Sequence, residues 1–444
     1  MLYRVPALEA AVVLLAAPFL LFPAYRPVLT VGALVTLVLV WLLRWYVTGH
    51  PGISTPLDIS ILLLLVMVPV AVWASALPEL SLPKLTGLIL GVATFRVVVH
   101  TGRRPPYLAW VVVAFLLVGV ALAMLGLVGT DWTNKVSALR PFLVGIPRLI
   151  TWLPGAEAGI HANELGGTLI LFLPVSLALT QIRGLGRPVA DWVLRLGALF
   201  LSLFLAAVLL LTQSRSAWVG VAAGLGAMGW LRWRWFRWLM LGAALLAVIV
   251  LCLVGPATVA QMFFDSDPIA GTETLVGPVS LEGRLELWNR AWFAIQDFPF
   301  TGVGLGAFRQ VVHVLYPLFV TGQTVDVGHV HNLFLQVALD LGLPGLIAYL
   351  GLVGTAIWIC WRVAGGRGPA HASPGEVHSW LALGVLGSLV AFHAYGVTDA
   401  IALGAKPGVA FWMLLALAAL LWISLEGAQP QPSGSGDPVN LEGA

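Results

Sequence analysis

YLAWVVVAFLLVGVALAMLGLV, residues Tyr107–Val128, holds no charged side chain over a length that matches a lipid bilayer. A hydrocarbon core takes roughly 20 apolar residues per helix, and only a helix satisfies its own backbone in lipid. The same signature recurs along the chain. With 59% hydrophobic residues, 10% charged residues and a mean hydropathy of +0.96, the protein is excluded from the water-soluble globules, whose charged fraction is about 25%. A formal charge of +3 is too small to point to nucleic acid. The two cysteines, Cys252 and Cys360, sit in apolar runs where they read as small hydrophobes, so no disulfide framework is implied.

Working outward from Tyr107–Val128, the ruler divides the chain into about 12 spans. They fall near Ala7–Leu21, Val28–Leu43, Ile59–Leu77, Leu85–Val99, Tyr107–Val128, Leu165–Thr180, Leu196–Leu211, Ala217–Leu231, Leu239–Val259, Leu333–Ile359, Leu381–Val397 and Val409–Leu425. The expected fold is therefore an all-α polytopic integral membrane protein, a single transmembrane domain over residues 1–425. The first run has no small-residue cleavage site and leads at once into another span, so it reads as a retained helix. Long loops cover about 129–164 and 260–332, and the Pro-, Gly- and Ser-rich tail 426–444 reads as disordered and cytoplasmic.

Lys and Arg in short loops set the orientation. With a cytoplasmic N-terminus, one face collects Arg4, Arg44, Arg103, Arg104, Arg183, Arg187, Arg195, Arg232, Arg234, Arg237, Arg362 and Arg367. The opposite face holds Arg26, Lys84, Arg215 and Lys406 in its short loops. This bias places both termini inside and both long loops outside. Arg215, in the tight hairpin QSRSAW, then shares the external face with Arg284 and His331. Position alone also allows Arg215 to be a snorkelling anchor.

The long external loop carries the polar residues that a bilayer does not require. In GRLELWNRAWFAIQDFPFTGVGLGAF, Leu285, Trp288, Trp292 and Ile295 recur at helical spacing, with Glu286, Asn289 and Arg290 on another face. That pattern describes a short amphipathic helix in the interface, ended by Pro299. Gly302, Gly304 and Gly306 are not a nucleotide fingerprint, because no strand precedes them; they let the backbone turn closely against the membrane domain. His329 and His331 raise the possibility of a metal pair, but no third ligand stands at helical spacing, and HVH alone is a weak metal signal. A catalytic or capping role for His331 is the better reading, with Asp326 a candidate orienter.

The string HNLFLQVALDLGLPG, with His331, Asn332, Gly342 and Gly345, resembles the His-Asn signature followed by Gly-x-x-Gly of the bacterial O-antigen ligase and O-antigen polymerase superfamily. GRLELWNRAW with DFPFTGVGLGAF is similar to that family's external-loop segment, and QSRSAW to its upstream arginine hairpin. IHANELGGTL, around Asn163, looks like a further family segment. The specific motifs run from Gln213 to Gly345, while the span pattern covers the whole chain.

The resemblance implies a GT-C-like membrane glycosyltransferase, inverting and metal-independent, needing no cofactor. Its donor would be a glycan on undecaprenyl pyrophosphate, and its acceptor a glycan or lipid-A core sugar hydroxyl. The location implied is the bacterial cytoplasmic (inner) membrane, with the active site on the periplasmic or external face. O-antigen ligase is the first reading; repeat-unit polymerase and protein O-oligosaccharyltransferase share the signatures. Carried onto this chain, Arg215 and Arg284 would bind the donor pyrophosphate and His331 would act as general base. Arg suits phosphate because its donor fork is bidentate and stays ionised. Glu282 and Glu286, beside Arg284, read as solvated or paired with basic neighbours. A multispan solute transporter is the alternative of another class. It would place ionisable residues at mid-membrane, where Arg96 and His393 with Asp399 come closest.

Overall fold

The computed structural model describes residues 5–103, 107–132, 136–151, 159–183, 188–264, 281–366 and 375–426. The isolated Asp-Ser-Asp of the second long loop, Asp265 to Asp267, and the tail beyond 426 lie outside these residues. Among them there is no strand, only an isolated bridge between Thr130 and Ile160 that closes the first long loop. The protein is an all-α polytopic membrane protein. Helices α1 (Val5–Leu21), α2 (Pro27–Thr48), α3 (Asp58–Ala74), α4 (Pro78–Gly102) and α5 (Tyr107–Gly129) coincide with the first five expected spans. A short helix α6 (Arg140–Leu143) follows in the loop.

The expected span Leu165–Thr180 is two helices, α7 (Ala162–Leu169) and α8 (Leu173–Leu179), broken over three residues ahead of Pro174. Such interrupted helices are tolerated at membrane depth only where protein surrounds them, and nearly all of this pair is buried. Then come α9 (Pro188–Leu211), α10 (Arg215–Arg232) and α11 (Arg234–Val254). The expected span Leu239–Val259 stops early, because Gly255 takes a positive φ of 89° and α12 (Pro256–Phe264) starts afresh.

Helices α13 (Leu281–Asp297) and α14 (Phe308–Leu315) follow, and α15 (Leu333–Ala364), α16 (Glu376–Tyr395) and α17 (Gly408–Glu426) are the last described elements. Counting the broken pair α7–α8 as one, nine helical segments among the described residues are long and apolar enough to cross a membrane, and two further apolar helices, in the α1 and α3 regions, are shorter.

Small residues draw the central helices together, the usual device where lipid offers no hydrophobic drive. A Cβ at Gly224 of α10 would lie 2.3 Å from the Gly387 carbonyl oxygen of α16. The N-terminal helices are held differently. Arg44, expected as a loop charge, is buried at the end of α2, where its guanidinium meets Glu9 of α1 at 3.1 Å and His100 of α4 at 2.5 Å. A buried charge needs such partners. Arg96 likewise pairs with Asp58 at 3.1 Å.

Helix α15 is broken at Gly342, whose φ of 70° and ψ of 178° belong to a region that side chains avoid. The orphaned backbone groups are taken up by the glycine loop. Val303 N–H donates to Leu339 O at 2.8 Å and Leu343 N–H to Pro299 O at 2.7 Å, while Pro344 has no N–H to satisfy. Gly302, Gly304 and Gly306 all take positive φ, so the loop does turn closely against the membrane domain.

Candidate functional site

Four segments distant in sequence meet at one end of the helix bundle, and the turn between α16 and α17 joins them. The start of α15 is fastened to that turn. Leu333 N–H donates to Gly396 O at 2.7 Å, and Asn332 Nδ2 donates to Val397 O at 2.9 Å. The Asn332 side chain also caps the helix, accepting from Phe334 and Leu335 N–H at 3.0 Å. His331, just before the cap, is held at a φ of 50°, a backbone conformation unfavourable for a side-chain-bearing residue.

That turn carries Asp399, which is 1% exposed. Its Oδ1 lies 3.2 Å from His331 Nδ1 and 3.0 Å from His329 Nε2, and it accepts from its neighbour Ala400 N–H at 2.9 Å. Its Oδ2 accepts from Asn163 Nδ2 of α7 at 3.2 Å, and Tyr395 donates its hydroxyl to Asn163 O at 3.1 Å. The broken helix α7–α8 thus contributes the segment singled out around Asn163.

Arg284 sits on the buried face of α13 and is 4% exposed; its Nη1 donates to the carbonyl of Thr398. Thr398 Oγ1 in turn bonds Ser216 Oγ of α10 at 2.9 Å. Ser216 follows Arg215, the first residue of α10, and Ser214 caps that helix through Ala217 N–H at 3.4 Å. Gln213, ahead of the cap, is the only other non-glycine with positive φ among the described residues, at 50°. Its Oε1 accepts from Val136 N–H of the first long loop at 2.5 Å. The adjoining residues Thr398 and Asp399 therefore tie Arg284, the Arg215-bearing hairpin and His331 to one turn. Strained backbone at two of these four segments is the pattern expected of functional sites.

Charge distribution follows from burial and partners. Burial first, then the charges of His329 and Arg284, push His331 down to about 4, although the Asp399 carboxylate pulls the other way. His331 is neutral at pH 7. Burial alone would raise the Asp399 carboxyl, but hydrogen bonds from His329 and His331 hold it well below the ordinary carboxylate range. Burial lowers Arg284 from its usual value, opposed by Asp399 and Tyr395.

Several expectations are corrected. Asp326 does not orient a histidine; it accepts from Arg309 Nε at 2.5 Å on an exposed surface. Of the ionisable residues nearest to mid-membrane, His393 bonds the Tyr349 hydroxyl at 2.7 Å inside the bundle. The helix α13 forms as expected, with Leu285 51% and Trp292 55% exposed, and its buried face is Gly283, Arg284, Leu287, Ala291, Ala294 and Ile295. The small alanines let α13 approach α15 closely, and Trp288 donates its ring N–H to Val330 O at 3.1 Å. Glu286 pairs with its basic neighbour Arg290 at 4.0 Å, as expected, and has further partners. It accepts backbone N–H from Phe319, Val320 and Thr321 at 2.5–3.1 Å, and those bonds lower its pKa against the raising effect of burial. Finally, the third metal-type ligand missing from the HVH string exists: Asp399 joins His329 and His331.

The family model described as O-antigen ligase matches residues 200–350, a segment that holds Arg215, Arg284 and His331. No curated protein matches the chain.

Proposed function

As a member of the O-antigen ligase and O-antigen polymerase superfamily, this chain is, we propose, an inverting transferase that moves a glycan from undecaprenyl pyrophosphate to a sugar hydroxyl. The observation that carries the reading is the Thr398–Asp399 turn. It joins a neutral, carboxylate-backed histidine to a buried arginine and to the hairpin of a second arginine.

With Nδ1–H directed at Asp399, the remaining ring nitrogen of His331, Nε2, is the acceptor tautomer. The acceptor hydroxyl gives its proton to Nε2 as its oxygen attacks the anomeric carbon. The bond from that carbon to the phosphate oxygen breaks on the opposite face, so configuration inverts. Undecaprenyl pyrophosphate leaves with the bonding pair, and the guanidinium groups of Arg215 and Arg284 stabilise its charge. In a site screened from water such fixed donors act more strongly than in bulk solvent. A positioned base typically contributes about 10²–10⁴-fold. Asp399 does not take the proton; it fixes the tautomer and ring, the logic of the hydrolase triad.

The proposed location is the inner membrane, with this end of the bundle facing the periplasm. Two arginines meet the charge requirement of the leaving group, so the reaction as proposed needs no divalent ion. Purified protein in proteoliposomes, given a lipid-linked glycan and a lipid-A core acceptor in EDTA, should release undecaprenyl pyrophosphate and form the glycosylated core. Chain extension without the core acceptor instead identifies a polymerase. Loss of transfer in EDTA that Mg²⁺ or Mn²⁺ restores contradicts metal independence. No consumption of the donor with either acceptor contradicts the reading.

A further inference from the structure

We infer that His329, His331 and Asp399 form a binding site for a borderline divalent cation of the zinc type, and that its occupancy silences the transfer chemistry. The first half stands on the geometry; the second rests on the reading of His331 as base.

Two imidazole nitrogens from either side of Val330 converge on one carboxylate oxygen at 3.0 and 3.2 Å. All three ligand atoms lie within 4.8 Å of one another. A zinc ion bonds nitrogen and oxygen at about 2.0–2.2 Å, so modest side-chain rotation admits an ion among them. The carboxylate is already oriented from behind, through Asn163 on Oδ2 and Ala400 N–H on Oδ1, the kind of outer support that ligands of bound metals have.

The donor set chooses the ion. Two imidazoles and one carboxylate suit Zn²⁺, Ni²⁺ or Cu²⁺, whereas Mg²⁺ and Ca²⁺ require mostly oxygen. The charge of Arg284 acts on His331 and opposes any cation. Binding must therefore come from nitrogen ligation, which sharpens the discrimination against Mg²⁺.

Occupancy has a chemical consequence. In the metal-free arrangement His331 Nδ1 and His329 Nε2 carry the protons directed at Asp399. An ion takes the lone pair at each of those nitrogens; the proton displaced from His331 Nδ1 moves to Nε2 of the same ring, and the one displaced from His329 Nε2 passes to the other nitrogen of that ring or to solvent. His331 Nε2 then becomes an N–H donor. It can no longer accept the proton of an attacking hydroxyl.

The test uses the full chain, purified, chelator-stripped and titrated with Zn²⁺ by calorimetry, with Co²⁺ absorption as a spectroscopic probe. One Zn²⁺ per chain is expected, with no competition from millimolar Mg²⁺. His329→Gln keeps an amide donor for Asp399 but loses the ligand, and Asp399→Asn loses the anionic oxygen; each should weaken Zn²⁺ binding at least tenfold while the protein remains monodisperse. Absence of stoichiometric binding, or equal affinity in both folded variants, overturns the site. In a parallel transfer assay, inhibition should track occupancy and be reversed by EDTA. A stoichiometrically bound ion with undiminished transfer leaves the metal site standing but overturns the silencing, and with it Nε2 as the base. Zn²⁺ bound at this site in a protein that transfers nothing even when metal-free speaks against the transferase reading alone.

Discussion

His331 Nδ1 stands 3.2 Å from Asp399 Oδ1, although 68 residues separate them in the chain. The bond is made by the packing of α15 against the turn after α16, and the proposed chemistry depends on it. Asp399→Asn removes the charge that fixes the tautomer and should lower transfer by about 10²-fold or more, within the range a positioned base contributes, with donor binding retained. Asp326→Asn, which breaks only an exposed pair with Arg309, should leave transfer within about twofold, since exposed pairs contribute little. A transfer assay on both folded variants decides; the reverse ranking would restore Asp326 as orienter.

The acid side of the pH profile follows from the low pKa of His331. A general base works in its neutral form, so activity is present above its pKa and is lost as pH falls through it. With His331 pushed down to about 4, the rate of transfer should be flat between about pH 5 and 7, where a histidine at its ordinary value of about 6.5 would lose most of its activity. Initial rates measured under subsaturating acceptor test this. An acid limb centred near 6.5 would show a base other than the buried histidine.

The break in α15 should matter for stability as much as for activity. A Cβ at Gly342 would lie 2.4 Å from Phe300 O, on a backbone with φ of 70°. Gly342→Ala should cost on the order of 1–3 kcal/mol, read as a lower melting temperature in detergent. Gly354→Ala in the same helix, where nothing lies within 4 Å, should be neutral or slightly stabilising. Equal melting temperatures for the two variants would mean that the break relaxes freely.

Orientation can be read by labelling. On a Cys252→Ser background, with the buried Cys360 left in place, Gly328→Cys should react with an impermeant maleimide in intact cells, whereas Trp235→Cys should react only after permeabilisation. Both positions are exposed. The opposite pattern would put the site on the cytoplasmic face.

Much of this was legible in the sequence, for physical reasons that also mark where legibility stops. A bilayer imposes a length and a composition, so helix positions could be read directly, and Arg284 and His331 stood out as polar groups the membrane did not need. Asp399 was visible only as an ionisable residue near mid-membrane, because TDAIALG between two apolar spans gives no local sign of what it faces. Its partners are set by the docking of Asn332 and Leu333 onto that turn. The buried face of α13 was not legible, because Trp288 and Trp292 dominate any apolar count, while small residues such as Ala291 and Ala294 are the ones that are buried. Gly342 was visible as a glycine, but its role in breaking α15 depends on hydrogen bonds from a loop some 40 residues earlier.

The central claim is that donor capture and acceptor activation are carried out by different residues. Donor binding and glycan transfer, measured side by side on purified, folded His331→Ala and Arg284→Lys, test it most directly. His331→Ala should bind the undecaprenyl-pyrophosphate donor nearly as the parent does while transfer falls by about 10²–10⁴-fold. Arg284→Lys should lose binding and transfer together, because an ammonium cannot reproduce a bidentate contact. Substantial transfer by His331→Ala would contradict it.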